Sequence, residues 1–106
     1  MDNGEKTLLC VTLAGLLFMA AVFLDERLLF VPAAVLDWLP VPTGWMRVPG
    51  VSRRDVIYHV AATLAAYVFG VAWLATGYRW LALAFMETWW IAVMLGQLAI
   101  WRMKTR

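Results

Sequence analysis

A chain of 106 residues leaves room for one domain at most. Its 64% hydrophobic and 15% charged residues, with a mean hydropathy of +0.76, depart from the roughly half-apolar, quarter-charged balance of soluble domains and place it among membrane proteins. A net charge of +2 gives no support to nucleic-acid binding, since basic residues gathered at segment ends are better explained by lipid headgroups and topology, and a lone Cys10 excludes an intrachain disulfide or a multi-cysteine metal site.

After a short polar start, residues 7–24 form an apolar run that ends at Asp25-Glu26-Arg27. A cleaved signal peptide would need a cationic start and a small-x-small cleavage site. Asp2 and Glu5 outweigh Lys6, and no such site follows, so a retained spanning helix is expected.

Residues 28–51 are apolar but broken by Pro32, Pro40, Pro42 and Pro49, and they carry Trp38, Trp45, Met46, Asp37 and Arg47. Proline removes backbone donors and interrupts helices, and residues 28–39 are too short to span. The expectation is an interfacial segment: a short helix around 33–38, then an irregular loop at headgroup level anchored by tryptophan. A re-entrant loop packed inside a larger complex is the competing arrangement.

Ser52-Arg53-Arg54-Asp55 then opens a second spanning helix, expected over about 55–76. Ser52 can cap the free amides, while Asp55, three residues on, can reach back as in a capping box. Arg53 and Arg54 lie at the positive end of the helix dipole, so membrane topology explains them better than helix stability does. Gly77-Tyr78-Arg79 turns the chain into a third spanning helix over about 80–101. The fold class expected is therefore an all-α integral membrane protein, one membrane domain of three transmembrane helices.

Seven of the nine basic residues, namely Arg27, Arg47, Arg53, Arg54, Arg102, Lys104 and Arg106, flank the helices on one side of such a topology. The positive-inside rule makes that side cytoplasmic, with the amino terminus outside, in the inner (plasma) membrane of a bacterial cell.

Two faces carry what chemistry there is. On the second spanning helix His59, Ala62, Ala66, Gly70 and Trp73 share a stripe at 3.6-residue spacing, and Ala62, Ala66 and Gly70 form a small-xxx-small series that lets helices approach closely. Ala92, Gly96 and Ala99 form a matching small face on the third. His59 is a candidate contact for a haem or a chlorophyll-type pigment, because a neutral imidazole nitrogen is a good ligand. One histidine cannot hold a bare metal ion within this chain, and a hydrogen bond to a neighbouring helix is its plainer role.

Glu87 lies roughly opposite Gly96 and shares a face with Trp80, Leu83, Trp90, Met94 and Trp101. Eight residues in from Arg79, it sits ~12 Å deep, near the bilayer middle. An ionisable group there costs at least ~2.5 kcal/mol and marks a pathway or a buried partner. Trp90 is equally out of place in lipid at that depth, so Glu87, Trp90 and Met94 together define a face that needs covering. A proton relay from Glu87 to His59 is disfavoured by ~12 Å of separation along the membrane normal.

Catalytic constellations are absent from the sequence, and no cofactor is required by it. Small multidrug transporters carry their membrane carboxylate in the first of four helices, and light-harvesting polypeptides span once, so neither pattern fits. The expected function is that of a small non-catalytic accessory subunit of a larger membrane complex, respiratory or photosynthetic, packing through its small-residue helix faces and the aromatic face around Glu87, with other membrane subunits and lipid as partners. Two alternatives stand beside it: a homo-oligomeric channel, holin or transporter with Glu87 lining the pathway, and a redox subunit binding its cofactor through His59.

Overall fold

Four α-helices and one short 3-10 turn make up most of the described chain. The computed structural model describes residues 3–44 and 50–105, and every regular element among them is helical. Trp45, Met46, Arg47 and Pro49 of the expected interfacial loop, and Arg106, lie outside the described residues. Three helices are long and apolar enough to cross a membrane: α1 (Asn3–Phe23), α3 (Arg53–Thr76) and α4 (Arg79–Lys104). Each begins one to four residues before the expected start, because polar residues continue the hydrogen-bond ladder beyond the apolar runs. The chain divides into two compact units, Met1–Val48 and Pro49–Arg106.

In the first unit α1 ends in a Schellman motif. Asp25 takes a left-handed conformation (φ 54°), Glu26 N–H donates to Ala21 C=O at 2.9 Å, and Asp25 N–H donates to Val22 C=O at 3.3 Å. Aspartate tolerates that conformation better than most residues with a Cβ. The chain passes through the 3-10 turn Arg27–Leu29 into α2 (Phe30–Trp38), which packs back against α1. Helix α2 starts three residues before the expected 33, since Pro32 falls in its first turn, where no amide is needed. The Phe18 and Phe30 rings lie 5.5 Å apart, and Cys10, Ala14, Gly15, Ala21 and Ala33 are buried. Cys10 therefore has a small packing residue's environment.

The second unit is an antiparallel helical hairpin. Ser52 caps α3, its hydroxyl accepting from Asp55 N–H at 3.2 Å. Only this half of the expected capping box forms. The Asp55 carboxylate turns to Arg102 of α4, 2.8 Å away, where a guanidinium offers a stronger partner than a backbone amide does. Gly77, left-handed at φ 78°, closes α3 by donating its N–H to Trp73 C=O at 2.7 Å, a conformation that glycine adopts without steric cost. Tyr78 is the N-cap of α4, so two residues separate the helices. Such a short connection forces the antiparallel pairing, and it sets Arg53, Arg54, Arg102 and Lys104 at the same end of the hairpin.

Candidate functional site

The hairpin seam is built from small residues with a polar end. On α3 Ala66, Gly70 and Trp73 are buried and Ala62 is half-buried; on α4 Ala82, Phe85, Trp89, Ala92 and Ala99 are buried and Gly96 is half-buried. The Tyr67 ring meets the edge of Phe85 at 6.1 Å between centroids. Without a Cβ, Gly96 leaves space for the imidazole of His59. A methyl group built there would lie 3.2 Å from Nδ1 and 3.3 Å from Cε1. The same ring nitrogen lies 2.8 Å from Ala92 C=O on the facing helix. A carbonyl can only accept, so Nδ1 carries the proton, and in the neutral ring Nε2 keeps the lone pair. Nε2 has no hydrogen-bond partner among the described residues and is not enclosed by them.

One turn toward the basic end, Asp55 is 7% exposed and accepts from Arg102, whose side chain is 48% exposed. Sequence reasoning used Asp55 only as a cap. The signal it missed is spacing: Asp55 is four residues before His59 on the same stripe, and Arg102 is three after Ala99. Further along α3, Thr63 donates to His59 C=O at 2.8 Å, and on α4 Thr88 donates to Ala84 C=O at 2.7 Å. Hydroxyls bound to their own helix are free of any desolvation debt in an apolar layer, and they are not links between helices. Trp73 is the exception at the far end. Its Nε1 is the buried side-chain polar atom without a partner among the described residues.

Glu87 lies on the other side of α4. It is exposed, with no hydrogen bond or ion pair among the described residues, eight residues from the start of a 26-residue helix. Around it on that face Trp80, Leu83, Met94 and Trp101 are 54–67% exposed and Trp90 is 43% exposed. Trp90 stacks edge-on against buried Trp89 at 5.2 Å.

Protein-family models, curated proteins and solved structures offer no match to this chain.

His59 and Glu87 are thus not brought together. His59 is level with Ala92 and Gly96 inside the seam, whereas Glu87 is five to nine residues away on the outer face, ~8–14 Å along the axis. With Thr63 and Thr88 engaged within their own helices, no side-chain ladder joins the two. Among the described residues no three His, Cys, Asp or Glu side chains are gathered as metal ligands would be. Near the hairpin's basic end, Arg54 Nε donates to Tyr58 Oη at 3.0 Å and its guanidinium lies 5.3 Å from the ring centroid. That pairing lets a long cation reach from an apolar helix toward the polar boundary.

Proposed function

We propose that this chain is a small, non-catalytic accessory subunit of a larger membrane protein complex, docking through the Glu87 face of α4. The supporting observation is the Glu87 carboxyl, exposed in mid-helix without a partner and ringed by Leu83, Trp90 and Met94. Lipid charges at least ~2.5 kcal/mol for such a group, whereas a neighbouring subunit can satisfy it by a hydrogen bond. The two small-residue stripes serve a different end: they are engaged with each other inside the hairpin. The setting is the inner (plasma) membrane, with the carboxy terminus cytoplasmic, and respiratory or photosynthetic assemblies are the fitting hosts.

Purification in mild detergent tests this reading. Co-purifying foreign subunits are expected, and Glu87→Gln, which keeps shape and a donor, should retain them and the activity of the assembly. Glu87→Leu should lose them, since the partner's polar group is left unsatisfied. An assembled but inactive Glu87→Gln complex would instead mark Glu87 as the titrating group of a channel or transporter.

His59 supports a second reading, a cofactor contact. A ligating histidine characteristically donates its other ring N–H to a carbonyl or carboxylate, as His59 does to Ala92. A haem or chlorophyll-type pigment brings most of its own ligands and needs one nitrogen. His59→Asn keeps an N–H for Ala92 and removes the lone pair, so loss of a visible absorption band in that variant would support the contact.

A further inference from the structure

The stretch from Leu28 to Gly44 lacks the polar face that a helix lying at a membrane surface requires. Its outward side chains are Leu28 (74% exposed), Val31 (49%), Val35 (63%), Trp38 (38%) and Val41 (49%), together with exposed Pro32 and Pro42. Between Leu28 and Pro42 the lone ionisable residue is Asp37, which is half-buried and engaged. A helix with no outward polar stripe belongs inside an apolar layer, not on top of one.

The backbone after α2 points the same way. Leu39 N–H donates to Val35 C=O at 3.0 Å, Val41 N–H to Trp38 C=O at 3.0 Å, and Gly44 N–H to Val41 C=O at 3.2 Å. The Thr43 hydroxyl donates to Leu39 C=O at 2.8 Å. Pro40 and Pro42 have no N–H to leave orphaned. From Leu39 to Gly44, Thr43 is then the one residue whose N–H these bonds do not use. The prolines that argue against a surface-to-surface span thus remove the donors that hydrocarbon would penalise, and orphan donors are rarer in proteins than under-satisfied carbonyls. Helix α1 indicates the level: the ring of Phe30, the first residue of α2, packs at a tilt of 47° against Phe18, five residues (~8 Å) inside the end of α1.

We propose that residues 28–44 form a re-entrant hairpin in which α2 enters the hydrocarbon beside α1, its outer face against lipid acyl chains. Nine residues of helix reach ~14 Å, well short of the ~30 Å needed to cross, so the segment turns within the layer. The inference rests on the reading of α1, α3 and α4 as spanning helices, and it replaces the headgroup-level placement expected from sequence.

Nitroxide labels on a Cys10→Ala background, in phosphatidylcholine vesicles, decide the matter. Labels at Val35→Cys and, independently, Val41→Cys are compared with Val68→Cys on the exposed side of α3 and with Lys104→Cys at the end of α4. The oxygen-to-nickel-chelate collision ratio at Val35 should fall within about twofold of that at Val68, and about tenfold or more above that at Lys104, as hydrocarbon excludes the chelate. Nickel access at Val35 and Val41 like that at Lys104 would return the segment to the headgroups and overturn the proposal. Exclusion of both reagents would also overturn it, by showing protein rather than lipid against α2. Nickel access at Val68 as well would sink the spanning-helix reading itself, and the hairpin with it.

Discussion

Replacing Gly96 by alanine tests whether the His59 ring is the reason for glycine in the seam. The new methyl would stand 3.2 Å from Nδ1 and 3.3 Å from Cε1, inside the ~3.5–4.0 Å of an ordinary carbon contact. Because the methyl and the Ala92 carbonyl both belong to α4, relief moves the ring away from its acceptor. The 2.8 Å hydrogen bond stretches toward or beyond the usual range, which removes about 1 kcal/mol of net stabilisation. Against this, alanine gains roughly 1 kcal/mol over glycine within a helix. In the parent background these terms nearly cancel, and Gly96→Ala should change unfolding free energy little. In a His59→Ala background the clash is gone, so the same substitution should stabilise by about 1 kcal/mol. The quantity to measure is the coupling in this double-mutant cycle, by reversible unfolding in mixed micelles titrated with dodecyl sulfate, and it should be about 1 kcal/mol. Propensity cancels in the cycle, so its value in a micelle does not matter. An identical effect of Gly96→Ala in both backgrounds would refute the contact.

Gly70→Leu should cost ~1–3 kcal/mol by overpacking the buried seam, and an unchanged melting temperature in detergent would put that stripe in lipid. Arg102→Ala leaves the 7%-exposed Asp55 carboxylate without its guanidinium and should destabilise by ~1–3 kcal/mol, with Asp55→Asn/Arg102→Ala recovering part of the loss. Equal stability of Arg102→Ala and the parent would show that water already serves Asp55. Cysteines placed at Lys104 and Arg53 should resist an impermeant maleimide added to intact cells and react once the membrane is opened; labelling from outside would reverse the orientation.

The three long helices were legible because lipid demands long apolar runs and satisfied backbones, and the sequence shows both directly. The turn at Gly77 was equally visible, since glycine between two such runs marks a left-handed closure. What stayed hidden depends on pairing between elements. Asp55 has a local use as half of a capping box, and nothing local says that its carboxylate will prefer Arg102, 47 residues away. Likewise the stripe through His59 shows that it faces a helix, but the choice of Ala92 as acceptor follows from the register of α3 on α4. Around Pro40 and Pro42 the prolines show only as breaks in the apolar run, and the turn bonds of Leu39, Val41 and Gly44 that accompany them follow from a backbone path no single residue announces.

The two-residue connection between α3 and α4 has a consequence for assembly. Tethered so closely, each small-residue stripe meets the other at a high effective concentration, far above that of any stripe on a separate chain. Self-pairing therefore wins before a competitor arrives, and the close-packing stripes are withdrawn from intermolecular use. A partner of the hairpin therefore meets its outward faces, and on that of α4 Glu87 lies with the exposed Trp80, Trp90 and Trp101.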